Sequence, residues 1–246
     1  MKQYLILFLV LIIILCSMNN NIEKFETKII NEINLQTPKI IHQTWKNYDL
    51  PENYNRWSKR CKKFHKDFKY ILWSDEDNLN FIKKEYPWFL KTYNSYDKNI
   101  KRVDAVRYFY LYHYGGIYMD MDFECLKNLT PLLNNKAIFG YQDKNNSIAN
   151  AFMISPPKHP LFKKIIYSLD KYKDLNVLDA TGPGLLTKMI NNYDGNDIKV
   201  LEMPLIYTHS WDQKKNICED KKIQECIDKF PDSYTTTYWT ASWQNE

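Results

Sequence analysis

The chain has 246 residues, 44% of them apolar, and a formal charge of +5 with acids and bases interspersed. That is enough to bury one substantial core in a single catalytic-sized domain. No Lys/Arg run is long enough to track a phosphate backbone, which argues against a nucleic-acid binder, and the short basic cluster at residues 59–66 reads as the solvated face of a helix.

The N-terminal segment stands apart from the fold. Every residue from Tyr4 to Cys16 is apolar or aromatic, Lys2 precedes the run and Asn19-Asn20-Asn21 follows it. The run is shorter than the roughly 20 residues of an ideal membrane helix, so a signal peptide competes, but no small-x-small cleavage site follows. The favoured reading is an uncleaved signal anchor at residues 1–18, giving a single-pass type II membrane protein whose bulk faces the lumen or exterior. A polar stem at residues 19–37 then leads to one domain at residues 38–246. Outside the anchor stand Cys61, Cys125, Cys218 and Cys226, an even number compatible with an oxidising compartment. Cys218 and Cys226 could close a small loop, Cys125 is expected as a buried free thiol, and the spacing fits no zinc pattern.

Strand-like and helix-like runs alternate along the domain. Residues 39–45 read as a strand, 52–64 as a helix, 70–73 as a second strand and 76–85 as a helix, the order of an α/β sheet with crossover connections. A helix at 101–114 carries Val103, Val106, Tyr110 and Tyr114 on one stripe, and Gly115-Gly116 ends it. A short strand at 117–119 follows. Further strands are expected at 137–141, 151–155 and 198–203, a helix at 161–172, and a strand or ordered cap at 233–243.

The segment from 101 to 122 carries the chemistry. Asp120 and Asp122 close the 117–119 strand at its C-terminal end, where open α/β sheets bind ligands. Side chains two apart on extended backbone point the same way, so both carboxylates can face one ligand. Carboxylates that close repel unless a cation stands between them, and hard oxygen ligands of this kind suit Mn²⁺ or Mg²⁺ bridging to phosphate oxygens. Asp104 and Arg107, three apart, share one face of the preceding helix. A guanidinium fork there is shaped for a phosphate or sugar.

Arg102-x-Asp104-x-x-Arg107-Tyr108, then Tyr114-Gly115-Gly116-Ile117-Tyr118-x-Asp120-x-Asp122, preceded by Pro38-Lys39-Ile40-Ile41-His42-Gln43-Thr44-Trp45, resembles glycosyltransferase family 32 through most of residues 38–133. More distantly the chain resembles the catalytic domain of bacterial glucosylating cytotoxins. Family 32 includes fungal Golgi mannosyltransferases and enzymes that mannosylate inositol phosphoceramide. The resemblance implies an α/β, Rossmann-like GT-A fold with a mixed central sheet. It also implies transfer of a hexose with retained configuration from GDP-mannose or a UDP-hexose to a lipid, glycan or polysaccharide hydroxyl, usually with Mn²⁺. By position, Trp45 would stack on the donor base and Tyr118 would line the nucleotide site. Asp104 and Arg107 would hold the donor sugar, Asp120 would contact the ribose or sugar and the metal's surroundings, and Asp122 would ligate the metal.

Residues 150–153 and 181–184 also resemble segments flanking the donor and acceptor pocket. At the C-terminal end the family's His-x-Trp is missing. Ser242 and Trp243 remain to close over the diphosphate, and His209 is a candidate replacement ligand. Two other readings stand beside this one, a catalytically inactive sugar or nucleotide-sugar binder and a haloacid-dehalogenase-like phosphatase. In the second, the first Asp of such a pair is a nucleophile, but there the motif normally opens the domain.

Overall fold

The structure is a computed structural model that describes residues 36–213, 218 and 222–241. Residues 37–246 form one compact unit. The expected anchor, nearly all of the expected stem, and Ser242 and Trp243 lie outside the described residues.

The elements follow one another as β1 (Ile40–Thr44), α1 (Glu52–Phe64), β2 (Lys69–Trp73), α2 (Asp75–Glu85), α3 (Leu90–Ser95), α4 (Asn99–Tyr114), β3 (Gly116–Met119) and β4 (Phe123–Cys125). Then come β5 (Ala137–Gly140), β6 (Phe152–Ser155), α5 (Pro160–Tyr172), α6 (Val177–Ala180), α7 (Pro183–Asn191), β7 (Ile198–Leu201), α8 (Met203–Ile206), α9 (Ile223–Lys229) and β8 (Thr235–Thr237). The central sheet has the order β2-β1-β3-β6-β5-β7. It is mixed: β1 runs parallel to β2 and β3, β6 is antiparallel to β3 and β5, and β5 is parallel to β7. A separate antiparallel ribbon pairs β4 with β8.

Both faces of the sheet are buried. Along β3, Ile117 and Met119 pack into one apolar cluster while Tyr118 points into the other, and along β6 Phe152 and Ile154 alternate with Met153 in the same way. This is the period of two that strand geometry dictates. The expected elements form within a few residues of their expected bounds. α2 starts where Ser74 caps the Asp77 N–H and the Asp77 carboxylate returns a bond to the Ser74 N–H, satisfying two otherwise orphaned donors. On α1, Tyr54, Trp57, Ser58 and Cys61 turn inward while Lys59, Lys62 and Lys63 stay in solvent. α3, α7, α9 and β4 are short elements that the hydrophobic pattern did not announce.

α4 departs from expectation. Instead of one apolar stripe, every residue from Asp104 to Leu111 is buried, while Val103 and Tyr114 of the expected stripe are only half-buried. The helix is covered on several sides, so a one-sided pattern is not what its surroundings select. It stops at Gly115 and Gly116, with φ of 66° and 95°. A Cβ on Gly116 would stand 2.6 Å from the Ile40 carbonyl oxygen, and one on Gly115 2.7 Å from the Pro157 nitrogen. Only glycine lets the chain turn from α4 straight into β3 this close to β1.

Two disulfides are present. Cys218–Cys226 closes the small loop considered above, and Cys61–Cys125 joins α1 to β4 across 64 residues of sequence. The second corrects the expectation of a free thiol at Cys125: β4 lies against α1, where Arg60 also donates to the Cys125 carbonyl at 3.2 Å and pairs with Glu124 at 3.5 Å. Closing so long a loop restricts the unfolded chain, so replacing both Cys61 and Cys125 by Ala is expected to lower unfolding free energy by about 4 kcal/mol, read from urea denaturation.

His42 on β1 is fully buried, stacked on Tyr110 at 5.6 Å and on Tyr114 at 5.8 Å. The Trp73 indole N–H points at His42 Nδ1 at 3.2 Å, so the ring proton sits on Nε2 and donates to the Gly115 carbonyl at 3.0 Å. Burial pushes this imidazole from its usual 6.5 down to about 4. Between those values the unfolded chain binds a proton that the folded one refuses, so stability falls as pH drops through this window. The expected loss from His42 is about 3 kcal/mol. Urea melts at pH 7.5 and 4.5 should show it, with a smaller difference in His42→Gln.

Candidate active site

β1 and β3 run parallel and end at the same edge of the sheet. The segments leaving them, one face of α4 and the chain after β8 wall an open cleft of about 610 Å³. Asp104, Arg107, Asp120, Asp122 and Trp45 all reach it.

Arg107 holds this wall together. Its guanidinium pairs with Asp104 Oδ1 at 2.8 Å and Asp120 Oδ1 at 3.2 Å, donates to the Asn150 carbonyl at 3.0 Å, and lies 4.6 Å from the centre of the Tyr118 ring. Burial pulls against its charge, but Asp120, Tyr118 and Asp104 hold it above even the usual guanidinium range. Asp104 is buried and accepts from Asn150 Nδ2 at 3.0 Å and Thr181 Oγ1 at 3.5 Å. Burial pushes it up to about 6 despite Arg107 beside it.

Asp120 leaves β3 with a third of its side chain open. Partial burial raises its carboxyl, against the pull of Arg107 and of the Tyr118 hydroxyl, which donates to Oδ1 at 2.8 Å. Gln43, on the neighbouring β1, donates to the Asp120 backbone oxygen at 3.0 Å. Asp122 is pushed up to about 6, first by burial and then by the charge of Asp120, while the Thr240 N–H and hydroxyl and then the Thr237 hydroxyl hold it back. The two acids do not sit on extended backbone as the sequence suggested. β3 ends at Met119 and residues 120–123 form a turn closed by the Phe123 N–H on the Asp120 carbonyl at 3.2 Å. Both nevertheless line the cleft.

Trp45 stands half-buried at the end of β1, 4.7 Å from the Tyr54 ring, and its indole N–H finds no hydrogen-bond partner among the described residues. Tyr118 is not on the cleft surface: it is fully buried beneath it, bonded to Asp120 and 3.4 Å from Thr44 Oγ1. His209 reaches the cleft, with Nδ1 3.1 Å from the Thr208 hydroxyl. Among the described residues no three His, Cys, Asp or Glu side chains converge as a metal cage. Sequence reasoning did not single out Gln43, Tyr54 or Thr240. The first two looked like ordinary strand and helix positions, and Thr240 lay in a segment noted for the histidine it lacks.

A mixed α/β sheet with paired carboxylates at the carboxyl ends of its parallel strands defines a fold similar to the GT-A glycosyltransferases. The PaToxG glycosyltransferase structure superposes with a TM-score of 0.52 at 21% identity, over 68% of this chain and 76% of that one. Residues 51–139 match the model of the glycosyltransferase sugar-binding region containing a DXD motif. An uncharacterized glycosyltransferase of Acanthamoeba polyphaga mimivirus is 31% identical over 73% of this chain and 76% of its own. The chain belongs to this family of DXD glycosyltransferases. It is 44% identical to a mannosyl phosphorylinositol ceramide synthase of Saccharomyces cerevisiae, over 63% of this chain and 43% of that protein. It spans about half the length of the curated relatives of that kind.

Removing Arg107 strands two carboxylates in the wall. Arg107→Ala is expected to cost 3–5 kcal/mol, roughly, in urea unfolding, and adding Asp104→Asn in the same chain should recover part of it.

Proposed function

We propose that this chain moves a hexose, with retained anomeric configuration, from a nucleotide diphosphate to an acceptor hydroxyl, with a divalent cation held by Asp120 and Asp122. The observation that carries the reading is the charge of the cleft. Among the described residues, Asp75, Asp104, Asp120 and Asp122 line it against Lys46 and Arg107. An anionic diphosphate would be repelled by such a wall unless a cation came between.

The donor set fits Mn²⁺ or Mg²⁺. Two carboxylates suffice for an ion that takes its remaining positions from water and substrate phosphates. Arg107 and Tyr118 both bond Oδ1 of Asp120, which leaves Oδ2 outside those bonds. When bound, the cation would neutralise the leaving diphosphate. Arg107, fixed by two carboxylates, orients the donor sugar beside Asp104, and the Trp45 ring, which lines the cleft, offers a platform for the base. Asp104 is committed to Arg107, Asn150 and Thr181, which favours front-face departure and attack over a covalent sugar intermediate. Trapping a glycosyl adduct on the wild-type protein would overturn that route.

GDP-mannose is the donor we favour, and a lipid headgroup the acceptor, because relatives are named as mannosyl phosphorylinositol ceramide synthases and inositol phosphoceramide mannosyltransferases. In the same reading residues 1–18 anchor the chain in a membrane of the secretory system and residues 19–37 are a stem. Ser242 and Trp243 close over the diphosphate. No helix among the described residues is long and apolar enough to cross a membrane.

The test is donor hydrolysis by the detergent-solubilised full chain with GDP-mannose, UDP-glucose, UDP-galactose and UDP-N-acetylglucosamine, with and without Mn²⁺. Metal-dependent release of mannose, reduced on the order of a hundredfold or more in a folded Asp122→Ala variant, is expected. A folded wild-type chain that turns over no donor in either condition would sink the proposal and favour a binding role.

A further inference from the structure

The last described turn of the chain, residues 238–241, is fastened to Asp122. The Tyr238 N–H donates to the Asp122 backbone oxygen at 3.1 Å. The Thr240 N–H and hydroxyl both donate to one carboxylate oxygen, Oδ2, at 2.9 and 3.1 Å. Behind Thr240 stands Tyr54 of α1, whose hydroxyl donates to Thr240 Oγ1 at 3.1 Å. A hydroxyl has a single proton to give. With Tyr54 donating to Thr240, the Thr240 proton goes to Asp122, so the relay runs in one direction.

Everything around this turn is held. Tyr54 is wedged between Trp45 at 4.7 Å and Trp57 at 5.3 Å. Tyr238 stacks on Trp57 at 4.2 Å and donates to the buried Glu124 at 2.5 Å. Trp239 stacks on Tyr207 at 5.3 Å and its indole N–H meets the His209 carbonyl at 3.2 Å. The residues on either side of Thr240, Trp239 and Ala241, have φ of 46° and 45°, a left-handed conformation that non-glycine residues rarely adopt. Such strain persists only where surrounding contacts impose it. What the strained turn delivers is a pair of donors on a single oxygen of Asp122.

We propose that Thr240, directed by Tyr54, is a positioning residue of the transfer reaction: it fixes Asp122 through Oδ2 and so presents Oδ1 to the divalent cation. The inference rests on the metal reading above and adds the device that orients the ligand. Partners that hold a ligating carboxylate set its direction and basicity, and losing one typically costs 10-fold or more in metal affinity, roughly.

The experiment is Mn²⁺ binding by the full chain in detergent, followed by electron paramagnetic resonance and calorimetry, for wild type, Thr240→Val, Thr240→Ser, Tyr54→Phe and Asp122→Ala. Thr240→Val keeps the shape and loses the hydroxyl. It should weaken Mn²⁺ binding about tenfold, with GDP binding in the absence of metal and the melting temperature unchanged, because Thr240 is exposed. Thr240→Ser should restore the affinity, and Tyr54→Phe should fall between. If Thr240→Val binds Mn²⁺ like wild type while Asp122→Ala does not, the positioning role is wrong and the metal reading stands. If Thr240→Ser binds no better than Thr240→Val, the hydroxyl is not the operative group. Undiminished Mn²⁺ binding by Asp122→Ala would remove the metal reading and this inference together.

Discussion

The buried guanidinium of Arg107 is the constraint on which the cleft depends. It sits where α4 passes the end of β3 and answers two carboxylates at once. A buried charge of this kind costs several kcal/mol unless its partners are well placed. The fold places them: Asn150 closes the ring between Arg107 and Asp104, the Tyr118 hydroxyl shares Asp120, and the Tyr118 ring receives the guanidinium face. α4, covered on several sides, is buried throughout the turns that carry this pair.

Much of this was legible in the sequence because chemistry and pattern coincided. The double glycine and the alternation of strands and helices are local signals, and the structure turns each into a feature of the expected kind, while the Asp-x-Asp pair lines the cleft from a turn rather than from extended backbone. What escaped is what depends on distant partners. The turn at residues 120–123 cannot be told from extended backbone without knowing that β4 leaves to pair with β8. The bond between Cys61 and Cys125 is invisible until α1 and β4 are placed side by side. A stripe reading of α4 fails because it presumes one buried face. α7 hides behind a Gly-Pro-Gly run that reads as a turn, yet Pro183 takes the first helical position, where its missing N–H costs nothing.

The ribbon of β4 and β8 gives the cleft its second anchor. It begins directly after the acidic pair, so the pairing of Phe123 with Thr237 sets the height of Asp122 against Tyr238. Glu124, buried on that ribbon, takes Arg60 from α1 on one oxygen and the Tyr238 hydroxyl on the other. Together with the disulfide at Cys125, these contacts bind α1, the acidic turn and the C-terminal segment into a single mechanical piece, and Trp45 meets it through Tyr54.

The distance in sequence between β4 and β8 also bears on how the protein is made. As the chain emerges from the ribosome, the acidic turn appears first, and the Thr240 donors that complete it follow 118 residues after Asp122. Pairing across so long a separation is entropically late. Until residue 240 has been made, a nascent chain therefore carries the Asp122 carboxylate without the Thr240 donors that hold it. The order of the strands thus delays completion of the cleft until β8 has been made and paired with β4.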